Sequence, residues 1–498
     1  MSDSSGDPRL SPSQRATGDM SPEEFRVAAK GIADRAADYL ANLSNYDVLP
    51  KIKPGDVRSK LAPQPPHQPE PLEAILDDYA NWIEPNITHW QHPGFMAYFP
   101  SVASGPGILG EWLATSLNSN VMFWRNAPSS TELEQLVVDW LRQMMGLPKP
   151  FDGMFTDTAS MSSLLSLVAA RHAVPGLDSR EKGLSGRPDV GKLCVYVSDE
   201  AHMSIDKAAI VIGVGRDGIR RIPVDENYAL RAEALAEAIA ADRARGDHPV
   251  CVIATLGTTS STAMDPIDAI AEVCAREKVW LHVDAAYAGA AACLPECRDA
   301  FAGWERADSI VFNPHKWFFT PFDASLLLFR DREKYRDAFS LVPEYLKTGI
   351  EDDVMNYNEY GIQLGRRFRA LKLWIQIRWF GVSGITARLR EHIGWAQSFA
   401  SWVDEAPDWE RMAPVPFALV CYRFKPHGVE DEGQLERLNQ RILDQLNASG
   451  KFYLSHTKLG GKFTLRLAVG NPRASFSDVE RCWELLRETA GIIHASGA

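Results

Sequence analysis

Short apolar runs punctuate the middle of the chain at Leu193–Val197, near 221, at Val250–Ala254, at Val279–Val283, at 309–312 and near 325. Each is the length of a buried strand, and stretches with helical spacing lie between them. That alternation predicts an α/β fold: a mostly parallel sheet with helices on both faces. Polar residues follow directly on several runs: His202 after the first, Thr255 after the third, Asp284 after the fourth, and Lys316 beyond the Pro314 stop of the fifth. In an open α/β sheet the carboxyl ends of the strands form the ligand crevice, so these side chains are expected to converge there.

The flanks read differently. Residues 1–20 are polar, rich in Ser, Asp, Pro and Gly, and are expected to be a disordered tail. Ser21-Pro22-Glu23-Glu24 is a capping box with proline at the first helical position. The stripe Phe25, Ala29, Ile32, Ala36, Tyr39 and Leu43 then predicts an amphipathic helix. The proline-rich stretch 50–71 is too irregular to cover that stripe, so a second subunit is its expected partner. Ser129-Ser130-Thr131-Glu132 reads as the opening of another helix, and a helical run from Ser162 to Arg171 follows the hydroxyl-rich Phe155–Ser160. Such hydroxyls cap helices, and the free amides beside them bind phosphate. From about Gly384 helical stretches alternate with strands such as Leu419–Phe424 and Phe463–Val469, which suits a smaller α+β domain. The expected division is a tail (1–20), an N-terminal helical segment (21–104), a large domain (105–383) and a small one (384–498).

Composition narrows the function classes. Of 498 residues 45% are hydrophobic and 24% charged, ordinary globular material, and the net charge of −12 argues against nucleic acid or an anionic membrane as partner. Seven scattered cysteines without a CxxC pair suit a reduced, cytoplasmic compartment. Neither a secretory h-region nor a run of membrane-spanning length is present. His89 and His92 have metal-like spacing but no third ligand, so no metal is expected. Gly213-x-Gly215-x-x-Gly218 mimics a dinucleotide fingerprint. A nicotinamide site needs strand, glycines, then helix, whereas here the expected order is helix, glycines, strand.

A lysine past a strand is usually a solvated charge. Paired with a carboxylate at a neighbouring strand end, it is also one of the two groups pyridoxal phosphate requires. The amine forms an imine with the aldehyde carbon, and the carboxylate keeps the pyridine nitrogen protonated. Opposite charges about 4 Å apart attract by roughly 4 kcal/mol at an effective dielectric of about 20, enough to hold the ring cationic. Asp284 and Lys316 would be that pair.

The runs HVDAAYAG (282–289) and NPHKW (313–317) resemble the pyridoxal-phosphate-dependent aromatic-L-amino-acid decarboxylases, group II enzymes of the aspartate aminotransferase-like fold (fold type I). The resemblance runs from about Pro22 to near the C-terminus. It implies a homodimer with active sites at the subunit interface, the N-terminal segment packed across it, and a seven-stranded-type sheet. It implies that Lys316 bonds the cofactor, Asp284 backs the pyridine nitrogen and His202 stacks on the ring. Thr158, Ala159 and Ser160 would cradle the phosphate, although Met161 stands where the family has glutamate. Thr255, Ala286, Asn313 and His315 would complete the cofactor shell. Trp90, Tyr98, Phe99, Pro100 and Ser101 would line the pocket for the substrate's ring, with Asn120 and Met122 on a segment reaching into the partner's site. Gly365 of GRRFR would leave room for an indole. Tyr357, near the end of the polar loop 347–358, would close over the substrate and protonate its α-carbon. The implied reaction converts tryptophan, 5-hydroxytryptophan, DOPA, tyrosine or phenylalanine to an arylalkylamine and carbon dioxide. The nearest rival is an aromatic aldehyde synthase on the same scaffold, in which phenylalanine typically replaces that tyrosine in plant enzymes. Glutamate or cysteine-sulfinate decarboxylation fits the aromatic wall less well.

Overall fold

The computed structural model describes residues 19–341 and 354–496. By internal packing the chain divides into two units, one up to His92 and one from Pro93 onward.

In the first unit helix α1 spans Pro22–Ala41 and starts as expected. Ser21 Oγ accepts the Glu24 N–H (3.2 Å) and the Glu24 carboxylate accepts the Ser21 N–H (2.8 Å). None of its residues is buried: Phe25 is 52% and Ile32 45% exposed. The stripe that the spacing predicts therefore forms as far as Tyr39 and is not buried there in the isolated chain, whereas Leu43, its last residue, lies beyond the helix and is buried.

The second unit is built on seven strands: β1 (Asp152–Thr156), β2 (Leu193–Ser198), β3 (Ile219–Ile222), β4 (His248–Thr255), β5 (Trp280–Asp284), β6 (Ser309–Phe312) and β7 (Ser325–Phe329). Their order is β1-β7-β6-β5-β4-β2-β3. β7 runs antiparallel to both β1 and β6, and the remaining neighbours are parallel. β2, β5, β6 and β7 are buried at every position, which requires cover on both faces and explains their nearly unbroken apolar runs. β1 is not foreseen by the hydrophobic pattern, because Asp152-Gly153 breaks its run. The glycine is what lets β1 pair with β7: a Cβ at 153 would stand 2.4 Å from the Leu327 carbonyl oxygen.

The longer helices of this unit are α2 (Gly105–Leu117), α3 (Pro128–Met144), α4 (Ala159–His172), α5 (Ser204–Val211), α6 (Ala232–Ala244), α7 (Ile267–Glu277), α8 (Ala370–Glu405), α9 (Glu432–Ala448) and α10 (Phe476–Ala495). Two starts differ from the expected ones. α3 begins at Pro128 behind Ala127, without a side-chain cap, so the proline rather than the Ser129–Glu132 motif sets its first turn. α4 begins three residues before Ser162, and Thr158 occupies the cap position without a side-chain cap bond. Its hydroxyl and amide both go to Asp157 Oδ1 instead (3.0 and 2.6 Å). The glycines at 213–218 follow α5 and precede β3, the order that excludes a dinucleotide turn.

α8 breaks at Gly381, whose φ of +64° is a left-handed conformation that glycine adopts without strain. Beyond it β8 (Trp409–Arg411), β9 (Leu419–Phe424), β10 (Ser455–Leu459) and β11 (Lys462–Ala468) form an antiparallel sheet in the order β10-β11-β9-β8. This is the small α+β portion that the C-terminal pattern predicts. Among the described residues no helix is long and apolar enough to cross a membrane.

Candidate active site

Register brings the strand ends together: Thr255 pairs with Asp284 across β4 and β5, and Asp284 with Val311 across β5 and β6. Beyond them lies a cavity of about 190 Å³. Thr158, Ala159, Ser160, His202, Thr255, Asp284, Ala286, Asn313, His315 and Lys316 all line it. These are the ten residues singled out from the sequence for the cofactor. Phe99, Ser204, Gly257, Thr259 and Tyr287 line it as well.

The turns after β5 and β6 hold the reactive groups in place. Asp284 Oδ1 accepts the Ala286 N–H (3.0 Å), the Asn313 N–H donates to the Ala286 carbonyl (3.1 Å), and the Lys316 N–H donates to the Asn313 carbonyl (2.9 Å). The Lys316 amine is held below the usual lysine range by burial, against the opposing pull of the Asp284 carboxylate. Removal from water favours the neutral amine, which is the nucleophilic form. His202 Nδ1 lies 2.8 Å from Ser204 Oγ and accepts the Ser204 N–H (3.2 Å). Burial and then the nearby Lys316 push its pKa down, so the ring is a neutral, flat surface at pH 7. His315 Nδ1 accepts the Ala324 N–H (3.1 Å), and burial with Lys316 brings its pKa to about 3.

Two further features mark the cavity as a ligand site. Thr255 Oγ1 and Asn313 Oδ1 are buried without a hydrogen-bond partner among the described residues. Each such atom costs about 1–3 kcal/mol unless something satisfies it. At the start of α4 the Ala159 and Ser160 amides occupy positions that have no acceptor within the helix. Carboxylate, amine, open helix amides and orphaned oxygens form a donor and acceptor set that fits pyridoxal phosphate.

An aromatic wall stands beside Lys316. Phe99 stacks on Tyr287 (centroids 3.8 Å, planes 13° apart), and Tyr287 stacks on Trp317 (5.0 Å, 13°). Lys316 Nζ is 5.3 Å from the Phe99 ring centre. Arg466 of β11 lies over the same ring at 5.6 Å. It donates to the Ser260 (2.9 Å) and Thr259 (2.7 Å) carbonyls and to Ser455 Oγ (2.8 Å), joining the C-terminal sheet to the cavity rim. Tyr287 lies within the HVDAAYAG run but no role is expected of it there, and Arg466 carries no motif that would single it out.

The remaining sequence-derived residues spread out. Trp90 belongs to the first unit. Tyr98, half exposed, hydrogen-bonds through its hydroxyl to that of Tyr453 (2.8 Å). Ser101 Oγ donates to the His315 carbonyl, and Pro100 packs at Gly470. Asn120, Met122, Tyr357 and Gly365 do not line the cavity. They share a network around Arg366, whose N–H donates to Asn120 Oδ1 (2.9 Å). Its guanidinium reaches the Val121 and Phe155 carbonyls (2.8 Å each) and the buried Glu134 carboxylate. The Met122 carbonyl accepts the Asn358 N–H (2.8 Å), and a Cβ at Gly365 would meet nothing within 4 Å.

Tyr357 requires a correction. It is 1% exposed, in the tight turn Tyr357–Glu359, with the Arg366 guanidinium 4.2 Å from its ring centre. Its hydroxyl is buried and has no partner among the described residues, and burial raises its pKa well above the usual phenol range. A sealed phenol in a fixed turn is not a donor on a closing loop. Residues 347–353 of that loop lie outside the described residues.

Residues 54–425 match the pyridoxal-dependent decarboxylase conserved domain. The chain belongs to that decarboxylase family. Across 495 residues it is 39% identical to tyrosine decarboxylase 3 of Petroselinum crispum, covering 97% of this chain and 95% of that protein. It is equally 39% identical, over 484 residues, to phenylacetaldehyde synthase of Arabidopsis thaliana, covering 95% and 97%. The decarboxylase also superposes on Oryza sativa TDC solved with PLP and tryptamine, with a TM-score of 0.91, 35% identity and coverage of 95% and 99%. The fold is therefore fold type I, and the cofactor of this decarboxylase is pyridoxal phosphate.

Proposed function

We propose that the chain converts aromatic L-amino acids to arylalkylamines and carbon dioxide. The observation that carries this reading is the convergence of Lys316, Asp284 and His202 on one cavity whose wall includes the stacked rings of Phe99 and Tyr287.

Lys316 supplies the amine for the cofactor's aldehyde carbon, and Asp284 the anion for its pyridine nitrogen. His202 offers a flat neutral face, and the first amides of α4 with Thr158 and Ser160 take the phosphate. Thr255 and Asn313 would offer their orphaned oxygens to the cofactor. When bound, the cofactor supplies an electron sink conjugated to the substrate's α-carbon. The chain's own part is orientation: an aromatic wall grips the substrate ring, and that remote binding energy sets the carboxylate in its reactive position. Arg466 already serves three protein oxygens, so it is poorly placed to receive a second, side-chain carboxylate, which weighs against glutamate-like substrates.

A homodimer is part of the same reading, supported by the uncovered apolar stripe of α1. A cytoplasmic location is supported by seven cysteines that are all free. Aldehyde synthesis is the second reading, because an aldehyde synthase stands as near in sequence as a decarboxylase and Tyr357 does not reach the cavity to separate them. The deciding assay incubates the holoenzyme with tryptophan, 5-hydroxytryptophan, DOPA, tyrosine, phenylalanine and glutamate, and measures amine, aldehyde and hydrogen peroxide. Amine from the aromatic acids is expected. Aldehyde with peroxide would replace the first reading by the second, and turnover of glutamate alone would overturn both.

A further inference from the structure

The strands that carry the cavity at their carboxyl ends open at their amino ends on a second, larger cleft of about 470 Å³. His248 opens β4 at this cleft and Thr255 closes it at the cavity. Eight residues at roughly 3.3 Å each separate the two sites by about 25 Å. Ligands of open α/β sheets are expected at the carboxyl ends, so the decarboxylase site does not account for this cleft.

Its rim is cationic. Arg243, Lys278, Arg306, Arg330 and Lys334 line it, together with the Asp308 carboxylate. Arg243 pairs with Glu277 (3.5 Å), Arg306 with Asp268 (2.8 Å) and Arg330 with Asp308 (3.2 Å). Lys278 and Lys334 are in no ion pair among the described residues. With three carboxylates set against five cations, two positive charges remain, on a chain whose net charge is −12. Arg243 and Lys278 stand at the C-terminal ends of α6 and α7, where they also complement the helix dipoles. Arg330, which follows β7, has no such duty. The floor is apolar, formed by Ala173, Val174, Ala275, Val279 and Trp280, and Lys334 Nζ sits 4.9 Å from the Trp280 ring centre.

We propose that this cleft binds an organic polyanion carrying two or more phosphate groups on a flat, partly apolar body, as a nucleoside polyphosphate does. The uncompensated Lys278 and Lys334 ammonium groups take phosphate oxygens as point charges, and the floor receives the flat body. A cleft of this volume accommodates such a molecule whole.

The test titrates the pyridoxal-phosphate-loaded enzyme with ATP, and separately with inorganic triphosphate, in low salt without divalent cations, by calorimetry and by thermal shift. ATP is expected to bind at one saturable site per chain, more tightly than triphosphate, and to weaken as potassium chloride is raised. The double variant Lys278→Asn, Lys334→Gln should bind ATP at least tenfold more weakly while turning over substrate like the wild type. Asparagine tolerates the left-handed backbone at 278 (φ +53°), and both side chains are exposed, so the fold is not at risk. Absence of saturable heat and of any thermal shift would overturn the proposal, as would a double variant that binds ATP as tightly as the wild type. Triphosphate binding as tightly as ATP would remove the apolar body from it.

Discussion

Two regions of this decarboxylase drew candidate residues from the same kind of sequence argument, and they are physically opposite. At the cavity wall, buried polar atoms lack partners: Thr255 Oγ1 and Asn313 Oδ1 are orphaned, and the Lys316 amine is desolvated. Around Arg366, the charged groups satisfy one another: one guanidinium serves two carbonyls and the Glu134 carboxylate, and Glu134 Oε1 also accepts the Phe155 N–H (2.9 Å), while the Tyr357 hydroxyl beside them has no partner among the described residues. An unsatisfied buried atom that faces a cavity can be completed by a ligand, whereas an ion-pair network closed on itself holds chain segments together. The wall is thus expected to govern chemistry and the Arg366 network to govern stability.

The largest effect that this contrast predicts is at Lys316. Lys316→Ala should lower amine production by at least about 10³-fold, the scale on which loss of a covalent nucleophile acts. The variant should stay folded by circular dichroism, because the lysine amine makes no hydrogen bond to the fold among the described residues. Turnover near the wild-type rate would sink the assignment of the wall.

Arg366→Met should do the reverse. Removing one partner of a buried pair leaves the other charge uncompensated, typically at a cost of about 3–5 kcal/mol. Both side chains are almost wholly buried here (3% and 0% exposed), so the full effect is expected as a lower urea midpoint. The folded fraction should keep its visible cofactor absorbance. A drop in turnover with an unchanged midpoint would erase the distinction between the two regions.

What the sequence made legible follows the same division. Asp284, Lys316 and His202 could be found because each stands just past an apolar run, so local pattern and site position coincide. β1 could not, since Asp152-Gly153 breaks its pattern and only the approach of Leu327 explains the glycine. Phe99, Tyr287 and Trp317 stack across segments far apart in the chain, and Arg466 arrives from the C-terminal sheet, contacts that no local periodicity encodes. Tyr357 misled for the same reason. Its neighbours along the chain are polar, but its ring lies under Arg366, which is itself held by Glu134, 232 residues away.

Tyr357→Phe is the smallest effect expected, and the sharpest test of that lesson. The substitution removes a hydroxyl that is buried without a partner and leaves the ring under the Arg366 guanidinium. Deleting an unsatisfied polar atom of this kind is neutral or mildly stabilising, within about 1 kcal/mol. The ratio of amine to aldehyde should not move, since the phenol neither lines the cavity nor reaches its surface. A rise in aldehyde and peroxide would mean that the hydroxyl touches the substrate during turnover. The turn at 357–359 would then have to open, its Arg366 contact would have to break, and the closed network would belong to the catalytic cycle after all.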